Sequence, residues 1–228
     1  MDQQAFIRAL RDADSATVAN AIERLELRGL TDGYADVRLR RLVAQPEPMV
    51  GFAVTMKIDS TTPGRTPDPS GFADLRRVLL AAPVPRVVVI EEAGPHPERG
   101  CHMGDVVGTM LARNEVIGVV SGSGIRDLEG LEAVGLSAFA LGTVVSHGVW
   151  TITSVGEDVE VAGLRVSNGT LLHGDGNGLV VVPDERQEDL LYHIRSVQFR
   201  ESERRRTAAR GWKGWETVPQ EPASLHYQ

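Results

Sequence analysis

Two short aliphatic runs, Arg86–Ile90 and Val116–Val120, constrain this chain most. Four aliphatics in five residues, bounded by polar positions, read as a strand buried on both faces. Helical spacing stands beside each run: Phe72–Ala82 stops before Pro83, residues 104–114 lie between the two runs, and 127–134 precede a further strand at 137–141. This part of the chain is expected to alternate α and β units. Upstream, Gln4–Arg11 spaces Phe6, Ile7 and Leu10 for one helix. Asp14 or Ser15 can cap a second helix holding Val18, Ala21, Ile22 and Leu25, and Met49–Ile58 reads as a strand. After Gly148 the pattern changes to short strands broken by glycines, near 149–154, 158–161, 164–166 and 179–182. A helix follows from about Asp184 to Arg206, turning Leu190, Leu191, Ile194, Val197 and Phe199 toward the core. This order suits an α/β chain folded as a β/β/α layered domain.

With 228 residues, 42% of them hydrophobic, the chain can bury a good core. We expect one domain over residues 1–206 and a tail over 207–228, where Trp212 and Trp215 point to docking on a neighbouring subunit. A net charge of −7 argues against a nucleic-acid binder, since such proteins neutralise phosphates with basic surface. The one cysteine, Cys101, excludes an internal disulfide and fits a reducing cytoplasm. Met1-Asp2-Gln3-Gln4 lacks a basic region leading into an apolar core, and no apolar run is long enough for a membrane span. The expectation is a cytoplasmic protein.

Chemistry concentrates between Gly104 and Asp127. Gly104-Asp105-Val106-Val107 opens a helix, and Ser121-Gly122-Ser123-Gly124-Ile125 leads from a strand into Arg126-Asp127. Amides at a helix start are unpaired and carry the positive end of the dipole, so the backbone of Val106, Val107 and Gly108 can hold a carboxylate. Arg126 adds a planar, permanently charged fork for a second oxygen. Asp127 is a hard oxygen ligand suited to Mg²⁺ or Mn²⁺. Asp105 can hold a metal-bound water or orient the ligand set. The same Arg126-Asp127 pair also reads as a solvated helix start, with Asp127 facing the dipole.

Asp105, twenty residues, then Arg126-Asp127 resembles the signature of the RraA-like family, which includes 4-hydroxy-4-methyl-2-oxoglutarate aldolases and an RNase E inhibitor. Residues 15–21, Gly51-Phe52-Ala53-Val54-Thr55 and Gly174–Pro183 are similar to that family's N-terminal helix, first core strand and late glycine-rich turn. The resemblance covers roughly residues 10 to 205. It implies the swivelling β/β/α fold, a homo-oligomer (a trimer or a dimer of trimers), and a metal-dependent lyase of the class II aldolase or decarboxylase type. Such an enzyme acts on a small anionic 2-oxo acid such as 4-hydroxy-4-methyl-2-oxoglutarate or oxaloacetate, through a metal-stabilised pyruvate enolate. By match, Asp127 coordinates the ion, Arg126 binds the keto acid and stabilises developing charge, and the amides of Val106 and Val107 hold the carboxylate. The resemblance also leaves open a non-catalytic regulator of the RNase E inhibitor type, or a specialised-pathway enzyme with the same site.

Departures from the family pattern weigh on substrate identity. Gly122-Ser123 stands where Asp-Gly is common, and Asn20 where Asp is usual. Many members carry glycine at the position of Asp105 and an acid at that of Gly130, so this chain follows the version with the acid first. The proline-bearing stretch Ser60–Ser70 reads as an insertion or rebuilt loop.

Other constellations weigh less. Gly122-Ser123-Gly124 lacks the third glycine and the downstream acid of a dinucleotide loop. His96, Cys101 and His102 lack the paired spacing of a zinc site and read as surface loop residues. His102, just before Asp105, is a candidate for substrate contact or proton transfer. His147 reads first as a structural loop histidine. His173 and Asp175 read as turn chemistry, Ser123 has no legible His-Asp partners, and Arg200, Arg204, Arg205, Arg206 and Arg210 read as a solvated helix face interleaved with Glu201 and Glu203.

Overall fold

The computed structural model describes residues 2–210. In chain order these form α1 (Gln3–Arg11), α2 (Ser15–Glu23), β1 (Arg40–Val43), β2 (Met49–Asp59), α3 (Gly71–Ala81), β3 (Arg86–Glu92), β4 (Cys101–Met103), α4 (Asp105–Ala112) and β5 (Val116–Ser121). There follow β6 (Gly124–Ile125), α5 (Leu128–Ala133), β7 (Ser137–Ala140), β8 (Gly142–Thr143), β9 (Thr151–Val155), β10 (Val159–Val161), β11 (Leu164–Val166), β12 (Leu171–Asp175), β13 (Gly178–Val182) and α6 (Gln187–Ala209). Asp2 caps α1 through the amides of Gln4 and Ala5. Asp14, the first of the two expected caps, accepts from Thr17 N at 2.7 Å and starts α2.

The main sheet runs β1-β7-β5-β3-β2-β12-β13, with β9 also on β2. The four strands β2, β3, β5 and β7 pair in parallel, as the buried aliphatic runs require. β2 is long enough to serve two partners: Met49–Phe52 pair with β12, and Met56–Asp59 pair with β9. Alternation along the strands divides the core. Val54, Met56, Ile58, Val88 and Ile90 face Leu75, Leu79, Leu111 and Leu131 of α3, α4 and α5. Ala53, Val87, Val89 and Val120 face Val159, Val161, Leu164 and Val166 of the β10–β11 hairpin. A third cluster seats α1, α2 and α6 on Val50, Phe52, Leu171, Val180 and Val182. Helices, mixed sheet and hairpin therefore stack in the β/β/α order that the sequence suggested. Each fully buried Val or Ile contributes roughly 1.5–3 kcal/mol, enough to offset the ~1–2 kcal/mol of backbone ordering at its position.

A second, three-stranded sheet positions the chemistry. β4, β6 and β8 pair in parallel, and each follows a strand of the main sheet: β3, β5 and β7. Three neighbouring strands thus leave the main sheet at their carboxyl ends and pair again one step further on.

Two expectations need correcting. Phe199 is 67% exposed, because it lies about 140° around the helix from Ile194, outside the buried stripe of Leu190, Leu191, Ile194 and Val197. α6 also runs past Arg206 to Ala209, so residues 207–209 are helix, and the docking expected of Trp212 and Trp215 lies outside the described residues. Arg205 and Arg206 pair with Glu201 and Glu203 on an exposed face, as read from sequence. Among the described residues no helix is long and apolar enough to cross a membrane.

Candidate active site

The three strand-to-helix or strand-to-loop turns after β4, β6 and β8 lie side by side. Arg126 N donates to Met103 O at 2.9 Å, and Val144 N donates to Ile125 O at 3.1 Å, so each turn is stitched to the one before it. Between them opens a cleft of about 200 Å³, walled by the 101–107 segment, Arg126, His147 and Trp150. Clefts at the carboxyl ends of parallel strands are the usual ligand site of open α/β sheets.

Asp127 occupies the capping position of α5 in a left-handed conformation (φ 57°, ψ 45°), yet its carboxylate makes no cap bond to that helix. It crosses instead to the start of α4. Oδ2 accepts from Asp105 N at 3.3 Å and lies 3.4 Å from Arg126 Nε. The dipole it faces is therefore that of α4, not of its own helix. Gly104 permits the approach, since a Cβ there would stand 2.6 Å from Asp127 Oδ2. The first intrahelical bond of α4 runs from Gly108 N to Gly104 O, so the amides of Val106 and Val107 precede the helix ladder and remain available to an anion, whereas Gly108's is spent. Arg126, 37% exposed, reaches Val145 O with Nη1 at 3.5 Å.

Asp105 is exposed at the first turn of α4 and leans on α5: a Cβ added to Gly130 would lie 2.6 Å from Asp105 Cβ. The acid at 105 and the glycine at 130 thus occupy one place from two sides. The structure brings Asp105, Val106, Val107 and Arg126 together in the cleft wall, with Asp127 beside them through the Asp105 amide and the Arg126 guanidinium.

His102 does not join them as a surface group. It is fully buried on β4, with Nε2 3.1 Å from Glu92 Oε2 and Nδ1 2.9 Å from Ser121 Oγ. A neutral imidazole satisfies both contacts, donating from Nε2 to the carboxylate and accepting the Ser121 hydroxyl at Nδ1. Burial pushes the His102 pKa below its ordinary value, against the upward pull of Glu92. Burial alone would raise the Glu92 carboxyl, but hydrogen bonds from His102 and from the Ser60 hydroxyl and amide hold it below the usual range. The order Ser-His-Glu matches a hydrolytic triad in connectivity. Ser121 is itself fully buried, so no substrate reaches it and the network ties the turns together. Both nitrogens being committed, the expected role of His102 in substrate contact is not supported. Cys101 is buried as well, its Sγ 3.6 Å from Met103 O and its thiol pKa pushed up by burial, while His96 is exposed. Among the described residues no three His, Cys, Asp or Glu side chains gather for a metal. Ser123 donates to Pro97 O at 2.5 Å, a structural bond. Asp175 accepts from the Asn177 amide, the turn bond expected of it, and also from Ser15 Oγ and N at the distant start of α2.

Sequence reasoning missed Glu92, Ser60 and Ser121, which hold His102 and one another by hydrogen bonds, and Trp150, which forms a wall. Trp150 Nε1 donates to His102 O at 3.1 Å, and its ring stacks on Phe72 at 5.2 Å. Only the glycines at 94, 100 and 148, where the chain passes close to these side chains, hint at the packing.

A family profile described as RraA-like, aldolase/RraA, matches residues 12–181. Protein DlpA of Legionella pneumophila is 22% identical over 206 residues; the match covers 89% of this chain and 31% of DlpA, so the chain spans about a third of that relative's length. A Halalkalibacterium halodurans protein named "Putative 4-hydroxy-4-methyl-2-oxoglutarate aldolase" is 24% identical over 202 residues, covering 88% of this chain and 87% of the relative. The crystal structure of Streptomyces coelicolor RraAS2, titled an unusual member of the RNase ES inhibitor RraA protein family, matches with a TM-score of 0.66 at 20% identity, covering 92% of this chain and 98% of that one. That likeness bears on the fold alone.

Proposed function

Since the chain belongs to the RraA-like family, we propose that it is a divalent-metal-dependent carbon–carbon lyase acting on a 2-oxo acid such as 4-hydroxy-4-methyl-2-oxoglutarate or oxaloacetate. The observation that supports this reading is the meeting of the Arg126 guanidinium, the Asp127 carboxylate and the leading amides of α4 at one helix start, beside a cleft that Arg126, Val106 and Val107 line. A 2-oxo acid offers what those groups take: a carboxylate for the Val106 and Val107 amides, and a keto oxygen beside it for Arg126.

The donor set fits Mg²⁺ or Mn²⁺. Asp127 is 40% exposed, its Oδ1 has no partner among the described contacts, and the exposed Asp105 carboxylate stands at the neighbouring helix start. Such ions accept one or two carboxylates and complete their shell with water and substrate oxygens, whereas zinc asks for three or four N or S donors that are not gathered here. When bound, the ion supplies Lewis-acid stabilisation of charge developing on the keto oxygen. Asp127 would hold it, Asp105 would orient its surroundings, and Arg126 would position the substrate and stabilise the same charge.

The proline-bearing loop favours a specialised substrate as the second reading. Thr151 Oγ1 lies 3.5 Å from Thr66 O and Asp68 bridges Thr151, so this loop backs onto the segment carrying Trp150. The test is pyruvate release from both acids with Mg²⁺ and with EDTA, in wild type, Asp127→Ala and Arg126→Ala. Metal-dependent turnover that falls by about 10²-fold or more in both variants is expected. Mg²⁺ binding that needs Asp127 without turnover of either acid points to the specialised substrate, and absence of metal binding points to a regulatory protein.

A further inference from the structure

Retro-aldol cleavage of a 4-hydroxy-2-oxo acid needs a group to take the hydroxyl proton. The O–H bond breaks as the carbinol carbon becomes a carbonyl, the carbon–carbon bond breaks, and its electron pair passes toward the keto group. The oxo-acid fragment later takes up a proton at carbon. Among the described residues of the cleft most are unsuited to that first transfer. Arg126 has no lone pair to offer. His102 is sealed with both nitrogens engaged, and Cys101 is buried. Asp127 and Asp105 are assigned above to holding the ion and orienting its surroundings.

His147 differs from all of these. It is exposed at the cleft, and its Nδ1 lies 2.8 Å from Gly148 O. A carbonyl can only accept, so Nδ1 carries the hydrogen, and in the neutral ring Nε2 then holds the unshared pair. Nε2 has no partner among the described contacts. The turn that carries it is held at several points. Val144 N bonds Ile125 O, Gly148 N bonds Ser146 Oγ at 3.3 Å, and Val149 N bonds Ser60 O at 3.0 Å. Gly148, at φ 62°, passes so close to the Ser60 carbonyl that a Cβ there would collide with it. Two residues on, Trp150 sits at φ 25°, a conformation costly for a bulky side chain. Backbone strain of this kind is retained mainly where surrounding structure enforces it, often at functional sites.

We propose that His147 is the general base of this site, its Nε2 removing the hydroxyl proton of a 4-hydroxy-2-oxo acid. The inference rests on the lyase reading above and adds to it the residue that moves the proton.

The experiment compares wild type, His147→Gln and His147→Ala, each with Mg²⁺, on 4-hydroxy-4-methyl-2-oxoglutarate and on oxaloacetate, which has no hydroxyl proton to lose on decarboxylation. Loss of a general base costs about 10²–10⁴-fold in kcat, so His147→Gln should lose that much on the hydroxy acid and far less on oxaloacetate. Added imidazole should restore part of the His147→Ala rate on the hydroxy acid. Equal losses on both acids without rescue, or no loss on either, would overturn the assignment while leaving the lyase reading standing. A wild type inert on both acids would overturn the lyase reading, and this inference with it.

Discussion

Asp105 and Gly130 show how two residues settle one question between them. A Cβ at 130 would stand 2.6 Å from that of Asp105, closer than real side chains approach. Glycine in the interior of α5 costs about 1 kcal/mol relative to alanine, so the helix accepts that cost to make room for the acid. Gly130→Ala is therefore expected to destabilise wild type by about 1–3 kcal/mol through overpacking. In an Asp105→Gly background the same change should be neutral or mildly stabilising, a coupling that urea titration of the double-mutant cycle would measure. Additive effects would show that the two positions do not compete. Where Mn²⁺ binding is followed, Asp105→Gly should weaken it and Asp105→Gly with Gly130→Asp should recover it, the acid returning from the other helix. Asp105, Arg126 and Asp127 were legible in sequence because all three flank turns whose strands and helices carry strong local patterns. The Glu92–His102–Ser121 network was not, since its members are joined by the return of separate strands and by no spacing. For the same reason His102 looked like a loop residue: three-residue β4 is too short to show a period, and its burial comes from partners elsewhere in the chain.

At the level of elements, Arg86 at the start of β3 ties together the ends of two helices. Nearly buried, it donates from Nε and Nη2 to Ala82 O at 3.1 and 2.9 Å, just past α3, and from Nη1 to Asn114 O at 2.9 Å, just past α4. Carbonyls at helix ends have no partner within the helix, and a cation there also meets the negative end of each dipole. Arg86→Met keeps the apolar stem and strips these donors. We expect it to lower stability by about 2–3 kcal/mol, leaving buried acceptors unsatisfied, which a shifted urea midpoint at unchanged slope would register. A loss under about 0.5 kcal/mol, the scale of an ordinary surface change, would mean that water replaces the guanidinium. Sequence placed the helices and the aliphatic strands β3 and β5 closely, because burial on both faces leaves an unmistakable run. It passed over β12, whose Leu171-Leu172-His173-Gly174-Asp175 mixes polar and apolar positions without alternation and is held by β2 and β13 on either side. It passed over β4, β6 and β8 as well, and with them the sheet on which the site is built. Phe199 is apolar yet exposed because its angle around α6, and not its hydrophobicity, decides its burial.

Across the whole molecule, acid should act in two stages, because the buried histidines and the bonded carboxylates are displaced from their ordinary values in ways that favour the folded form at neutral pH. His102 and His173 are both lowered, chiefly by burial. His173 donates from Nε2 toward Leu10 O and Ala13 O at 3.1 Å, while its Nδ1 is buried without a partner, so a second proton has nowhere favourable to go. The unfolded chain takes up protons on these imidazoles as pH falls through about 6.5, before the folded chain does. Stability is therefore greatest above that value and declines below it until the folded groups also titrate. Glu92 and Asp175 behave as bonded carboxylates: burial would raise both, but hydrogen bonds from Ser60 and His102, and from Ser15 and Asn177, leave them lowered. Their contribution is complete above the ordinary carboxylate range, near 4, and is lost as pH falls through their folded values. A urea midpoint followed from pH 8 to 3 should decline first between about 7 and 5 and again below about 4. His173→Gln, which cannot titrate, should flatten part of the first decline and leave the second. A wild-type midpoint constant between 7 and 5 would mean that the histidines are no harder to protonate in the folded chain than in the unfolded one, and that their burial carries no pH-dependent cost.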